Sequence, residues 1–536
     1  MILASGRSRS LISRSLSIRW YKAVNEPVLL HKPGSEERRK LDSELADMLS
    51  KAPFNPFEHG KKLARFSYAD KGQIAEAIET AIEARKKWSR VPFEKRAEIL
   101  LKAADLVSNS YRYKLLAATI LGQAKTIFQA EIDAAAEMAD FFRFNVQFAY
   151  QMLEYSPIDG PDCSNSSLYR PTEGFWAAIP PFNFTAIAGN LATAPILMGN
   201  AVLWKPSDTA VLSNYITYTL LLEAGIPEGV INFVPADGPT FGEVVTSHPM
   251  LAGINFTGST KTYRHILKTM ANKIELYRGY PKTIGECGGK NFHFVHPSAD
   301  LAEAALGTVR SAFEYSGQKC SACSRCYVPK GSWDQFRDLL LQHHKQLKLG
   351  SPLENDTFTS AVIDKTAFNK IKSYLDYAVS NPKVEVVAGG KYDGSKGYFI
   401  EPTILRTDDP KDKLMTDDIF GPVVTVFVYE ENRLSEALDL VDSTSDYALT
   451  GSIFAKDEQF IKSTKDRLID CTGNLYINAQ STGSIVGQQP FGGARLSGTN
   501  DKAGGPQYVS RFCSPLSIKT QQKPIQHWRQ AHMGSS

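Results

Sequence analysis

The chain has 536 residues, 43% hydrophobic and 22% charged, a globular composition with material for two or more large cores. Its formal charge of +4 sets 61 basic against 57 acidic residues. Four of the arginines (Arg7, Arg9, Arg14 and Arg19) fall in residues 1–21, so the rest is balanced and nothing points to a nucleic-acid-binding body.

Residues 1–21 interleave those arginines with Ser, Leu and Ile and hold no acid, which is the composition of a mitochondrial transit peptide and places the protein in the mitochondrial matrix. A disordered basic tail is the alternative. Residues 27–60 are Pro-rich and read as an extended lead-in that wraps the body. From 71 to about 155 the period is helical. Ile74, Ala77, Ile78, Ala81 and Ile82 share one face, and Pro92 opens a second helix through Ile99, Leu100, Ala103 and Leu106. Two more helical runs cover 114–121 and 130–153.

The turn-rich stretch 157–172 punctuates the chain. Beyond it, short apolar runs at 174–179, 201–204, 230–234 and 254–257 alternate with helices at 186–197, 213–224, near 242 and at 261–271. That alternation predicts an α/β domain, a parallel sheet doubly wound with helices in the manner of nucleotide-binding folds. The longest apolar stretch, 177–204, contains Pro180, Pro181, Asn183, Asn190, Pro195 and Asn200, so no membrane span is expected.

A second α/β region opens with runs at 283–286 and 292–295 and a helix from Asp300. Its N-cap is Asp300 with Glu303 as capping-box partner; Leu301, Ala305, Val309 and Ala312 form its apolar face, and Gly317 ends it. Further strands are expected at 325–328, 384–388, 423–429, 450–455 and 474–477. Residues 480–506 are rich in Gly, Ser and Gln, a long loop of the functional kind.

Cys320 sits just past the Gly317-Gln318 turn, beside Lys319. A partly exposed, electropositive thiol at such a junction ionises and becomes a nucleophile; a buried structural cysteine is the alternative. Cys320, Cys323 and Cys326 have an iron-sulfur-like spacing. However, the fourth position is Lys330, and a strand there would point Cys323 and Cys326 to opposite faces, so no metal site is expected. The seven cysteines, odd in number and without framework spacing, fit free thiols in a reducing compartment.

Glu286, in E-C-G-G-K-N, is a carboxylate whose pKa a mostly apolar cleft would raise enough to take a proton from water. Asn183, between Phe182 and Phe184, offers an amide N–H for an oxyanion. Lys205, at a strand end, suits sugar hydroxyls, and Asp208 would repel a 2′-phosphate and so favour NAD over NADP. The run 254–262 leads a strand into a helix start whose free N–H groups, with Ser259, suit a pyrophosphate, although no G-x-G-x-x-G fingerprint is present.

Eight short motifs in one order carry a resemblance: P-F-N-F at 181–184, W-K-P-S at 204–207, F-T-G-S-T at 256–260, E-C-G-G-K at 286–290, G-Q-K-C at 317–320, G-Y-F-I-E-P-T at 397–403, D-I-F-G-P-V at 418–423 and P-F-G-G at 490–493. The chain from about residue 27 onward resembles the aldehyde dehydrogenase superfamily. The longer runs at 286–296, 310–325 and 481–495 resemble its branch that oxidises glutamate γ-semialdehyde to glutamate in proline catabolism.

The resemblance implies a thioester on Cys320, an oxyanion held by Asn183 and the Cys320 N–H, and Glu286 as the base for hydrolysis. It implies NAD held by Pro180, Lys205 and the run Gly258, Ser259, Thr260, Lys261 and Thr262. Asp418 stands where the family usually has Glu against the nicotinamide ribose. For the substrate it implies an α-carboxylate anchor of Ser321, Gly483 and Ser484, flanking rings Phe184 and Phe491, and Glu137 nearby. Ala479 and Gln480 depart from the Asp-Lys pair expected beside that anchor.

The implied fold has a Rossmann-like NAD-binding domain (27–156 and 173–287), a second α/β catalytic domain (288–490) and a small β oligomerisation arm of a homodimer. The arm draws on 157–172 and the C-terminal part, 491–536. Three rival readings are an aldehyde dehydrogenase for another semialdehyde, a cofactor-free cysteine hydrolase using His293 or His296, and a non-catalytic binding or structural protein that keeps the fold, which the presence of Cys320, Glu286 and Asn183 together disfavours.

Overall fold

A computed structural model describes residues 21–51, 57–59, 63–525 and 528–533. All of the expected transit peptide except Tyr21 lies outside these described residues.

The first α/β unit is a five-stranded, all-parallel sheet. Its strands lie in the spatial order Ile231–Phe233, Val202–Trp204, Phe175–Ile179, Leu251–Thr257 and Lys282–Glu286. The strands are nearly continuous apolar runs because both faces are covered. Trp176, Ala178, Val202 and Trp204 pack on one side, against the helices Phe93–Ser108, Thr185–Leu197 and Val211–Ala224. Phe175, Ala177, Leu203 and Ile254 pack on the other, against Lys71–Trp88, Gly238–Thr246 and Thr260–Ala271. A fully buried side chain such as Phe175 contributes about 1.5–3 kcal/mol. The strand order reverses between Phe175–Ile179 and Leu251–Thr257, which opens a crevice at the carboxyl ends of those strands.

The second unit is a seven-stranded sheet in the order Asn474–Ile477, Thr450–Phe454, Asn291–Val295, Cys323–Pro329, Val423–Tyr429, Thr403–Thr407 and Val384–Ala388. Only the last pairing is antiparallel. The strand Thr403–Thr407 was not anticipated. A further ladder pairs Cys163–Pro171 antiparallel with Cys513–Gln521 along their whole length. Among the described residues no helix is long and apolar enough to cross a membrane.

Four expectations need correction. The lead-in is extended only at first and then forms the helix Glu36–Lys51, whose Leu41 and Leu45 are buried. The run at 130–153 is not one α-helix: Glu131–Glu137 is a π-helical turn inserted before Met138–Leu153. The helix from Asp300 ends at Phe313 rather than Gly317. A tight turn follows in which Tyr315 and Ser316 take left-handed backbone angles, φ 51° and 53°. Finally, Cys323 and Cys326 share one face, because the pairing steps from Asn291–Cys323 to Phe292–Arg325 and the extra residue, Ser324, bulges from the cysteine strand itself and resets its alternation.

Candidate active site

The two sheets are joined by Cys287, Gly288, Gly289 and Lys290, which run from the carboxyl end of Lys282–Glu286 to the amino end of Asn291–Val295. Gly289 makes this crossing possible: a Cβ there would come 2.7 Å from the Cys320 carbonyl oxygen and 2.6 Å from Asn291 Oδ1. Asn291 then pins the cysteine loop. Its Nδ2 donates to the carbonyls of Cys320 (2.7 Å) and Ala322 (2.8 Å), and its Oδ1 accepts from Thr450 N (3.0 Å).

Cys320 precedes the strand Cys323–Pro329 and keeps a partly exposed surface. The turn before it is anchored by Ser316 N donating to Thr359 Oγ1 (2.9 Å) and by Gln318 Oε1 accepting from Ile363 N (2.8 Å). These bonds hold the left-handed residues, each costing about 1–3 kcal/mol, next to the thiol.

The charge around the thiol is not the electropositive one expected. Lys319 turns away to pair with Glu314 at 3.0 Å. Burial, and then the carboxyl groups of Glu286, Asp418 and Glu137, push the Cys320 thiol up to about 12.

Glu286 ends its strand with Oε2 accepting from Gly493 N (3.2 Å), while Oε1 is buried with no hydrogen-bond partner among the described residues. Burial raises its pKa well above the carboxylate range, opposed by Gly493 N–H and the Lys502 ammonium. An orphaned buried acceptor beside a thiol is a place for a water. Asn183 Nδ2 donates to the Gln318 carbonyl (2.9 Å), which tethers the amide to the Cys320 turn.

The crevice at the strand ends holds the next group. Pro180 follows Phe175–Ile179. Lys205 follows Val202–Trp204, its ammonium 3.4 Å from Asp208. Gly258 follows Leu251–Thr257, and Ser259 caps Thr260–Ala271 by accepting from Thr262 N (3.1 Å). Thr260 also reaches Leu496 O, and Lys261 lies on the exposed first turn. Asp418 presses on the linking segment, its Oδ2 2.1 Å from where a Gly288 Cβ would stand, and burial raises its pKa.

On the side of the long loop, Ser484 Oγ bonds Tyr476 OH (2.5 Å), and the Ser321 carbonyl accepts from Ser481 Oγ (3.2 Å) and Thr450 Oγ1 (3.2 Å). Gly483 is exposed, and Phe491 is bonded through its N–H to Ala503 O (2.8 Å). Ala479 O accepts from Ser452 Oγ at 2.5 Å, so this backbone is supported despite the departure there. Phe184 lies under the fully buried Lys125, whose ammonium is 4.0 Å from the ring centre and 2.8 Å from Asp133. Glu137 is pushed up to about 8 by burial and by Asp133.

Tyr476, Asn291, Lys125 and Asp133 were missed. Only Asn291 left a signal in the sequence, as the last residue of E-C-G-G-K-N.

The profile of the aldehyde dehydrogenase family matches residues 48–518. The chain belongs to the aldehyde dehydrogenase family. Among known aldehyde dehydrogenases it is 50% identical to the mitochondrial delta-1-pyrroline-5-carboxylate dehydrogenase of Homo sapiens, over 99% of this chain and 100% of that one. To the enzyme of the same name from Dictyostelium discoideum it is 44% identical, over 98% of each chain. The crystal structure of the Mycobacterium tuberculosis Delta-pyrroline-5-carboxylate dehydrogenase bound with NAD matches with a TM-score of 0.91 at 42% identity, covering 96% of this chain and 98% of that one.

Neither histidine of the cysteine hydrolase reading is placed as a free base. His293 is buried between Thr308 and Ser481, and burial lowers its pKa to about 3. His296 stacks on Phe460, the ring centres 3.9 Å apart. Among the described residues no group of three His, Cys, Asp or Glu side chains could hold a metal ion.

Proposed function

We propose that the protein is a mitochondrial NAD-dependent dehydrogenase that oxidises L-glutamate γ-semialdehyde, the open form of Δ1-pyrroline-5-carboxylate, to L-glutamate. The observation that carries this reading is the pairing of Cys320 with an orphaned, raised-pKa Glu286 at a strand-end crevice, next to a loop of small residues.

The donor set fits NAD: the Lys205 ammonium suits ribose hydroxyls, the N-terminus of Thr260–Ala271 suits a diphosphate, and Asp208 disfavours a further phosphate. Bound there, NAD supplies the two-electron acceptor that turns a hemithioacetal into a thioester. The remaining work falls to the chain. Cys320 Sγ adds to the aldehyde carbon, and the oxygen that becomes negative meets Asn183 Nδ2 and the Cys320 N–H. Glu286 takes a proton from the water that attacks the thioester carbon, and glutamate leaves as the free acid. Ser321, Gly483 and Ser484 hold the α-carboxylate, Phe184 and Phe491 flank the methylenes, and Glu137 lies alongside. A homodimer is part of the same reading, with the Cys163–Pro171 and Cys513–Gln521 ladder as its arm.

The test is NADH formation by purified protein given pyrroline-5-carboxylate and NAD. Glu286→Gln should leave a burst of about one NADH per site followed by turnover slowed roughly a hundredfold or more. Cys320→Ala should remove the burst as well. Full turnover by Cys320→Ala would refute the mechanism.

A further inference from the structure

Residues 21–33 lie across the body as a strap with unusually many directed bonds. Ala23 N donates to Gln147 Oε1 (2.7 Å), Glu26 N to Asp140 Oδ1 (2.6 Å) and Leu29 N to Glu131 Oε1 (2.9 Å). His31 Nε2 bonds Glu131 Oε2 (2.9 Å), and the Glu26 carboxylate lies between Arg112 (2.7 Å) and Arg143 (2.5 Å). Glu131 and Asp140 bracket the π-helical turn that carries Asp133 and Glu137, so the strap is tied to the wall of the site.

One residue of the strap also reaches the opposite wall. Asn25 Nδ2 donates both to Asp140 Oδ2 (2.7 Å) and to the Val486 carbonyl (2.9 Å), while its Oδ1 accepts from Gln488 Nε2 (3.0 Å). Both N–H groups and the oxygen of a single amide are therefore spent joining the helix Met138–Leu153 to the loop that begins at Ser481. The loop tip lies directly on that helix, since a Cβ at Gly487 would come 2.3 Å from the Phe144 ring. The tip's own bonds, Gln488 N and Gln489 N to Ile485 O and Gly487 N to Gly504 O, do not involve the helix.

We propose that Asn25 is a positioning residue for the substrate-anchor loop, and that seating of the 21–33 strap sets the affinity for the carboxylate end of the substrate. The proposal rests on the reading of Gly483 and Ser484 as that anchor. A shift of the tip at 485–488 moves residues one to five positions away, whereas Cys320 and Glu286 are held by other bonds. Loss of the clamp therefore weakens binding of the carboxylate and spares the chemical step.

The experiment compares Asn25→Asp, Asn25→Ala and Gln488→Ala with the wild-type enzyme in two measurements. The first is kcat and KM with glutamate semialdehyde and with propanal, which lacks a carboxylate; the second is hydrogen exchange across 485–488 in the protein without substrate. Asn25→Asp, which sets a second carboxylate against Asp140, should raise KM for glutamate semialdehyde roughly tenfold with kcat within about twofold. KM for propanal should stay unchanged and exchange at Gly487 should quicken. Gln488→Ala should act in the same direction, and its effect should fail to add to that of Asn25→Ala. An unchanged KM for the semialdehyde, or an equal rise for both aldehydes, overturns the proposal. A wild-type enzyme that leaves glutamate semialdehyde untouched overturns the carboxylate reading instead. The strap then stands or falls on exchange, and unchanged protection at Gly487 in Asn25→Asp refutes it.

Discussion

For Cys320, the proposed nucleophile, burial first and three carboxyl groups second hold the thiol up at about 12. A thiol becomes reactive as it ionises, and a pKa raised in this way leaves little thiolate near neutral pH. The ligand-free thiol is therefore expected to resist adventitious alkylation near neutral pH. Alkylation of the ligand-free protein by iodoacetamide should therefore accelerate roughly tenfold per pH unit between about pH 7 and 9, with no plateau. A plateau near pH 8 would show the thiol to be ordinary. Glu286 is shifted in the same direction: its raised pKa keeps the carboxyl protonated where an ordinary glutamate is ionised. The base catalysis proposed for Glu286 should be lost as pH falls through that raised value, and Glu286→Gln should remove the acidic limb of the rate profile.

The element that decides the geometry is the four-residue crossing from Glu286 to Asn291. It is short, and it works because backbone approaches backbone at Gly289 without a side chain between them. Gly289→Ala should keep the far-UV circular dichroism of the parent and lose roughly a hundredfold in kcat/KM, since its Cβ would displace the Cys320 carbonyl or Asn291. Parent-like kcat/KM would show that the Cys320 turn has slack.

The π-helical turn Glu131–Glu137 is the second such element. It brings Asp133 under the start of Thr185–Leu197, where its carboxylate accepts from the backbone of Thr185 (3.0 Å) and Ala186 (2.9 Å). That helix has no side-chain cap of its own, so the cap arrives from elsewhere in the chain, with Lys125 as its counter-ion. Asn183 and Phe184 are held by the consequence.

Across the whole molecule, two sheets meet edge to loop, and the reacting groups come from opposite ends of their strands. Glu286 closes a strand of the first sheet and Cys320 opens one of the second. The two-stranded ladder of Cys163–Pro171 and Cys513–Gln521 stands apart, with Leu168 52%, Leu516 38% and Ile518 40% exposed. Two strands alone are marginal in water, and exposed apolar edges favour a partner. For the proposed dimer, Ile518→Asp should convert the sedimenting species to a single 59.2 kDa chain while leaving the fold intact. A parent-like sedimentation profile would remove the arm from the interface.

Periodicity and punctuation were enough to read the alternation of strands and helices, because apolar spacing and Gly or Pro breaks act locally. Strands at 384–388, 423–429 and 474–477 were legible to the residue. The family was legible for the same reason, because the motifs that carry the resemblance, those around Cys320, Glu286 and Asn183 among them, are short contiguous runs. What the sequence could not disclose depended on distant neighbours. Whether Lys319 serves the thiol or Glu314 is settled by packing 5 residues away, at 3.0 Å. The π-turn and the bulge beside Cys323 are invisible to a fixed period, since each inserts a residue that only a partner element accommodates. Asn25 and the loop it holds are 461 residues apart, and no local rule joins them. Burial, pKa and long-range hydrogen bonds are properties of the assembled interior, so only the tertiary structure decided them.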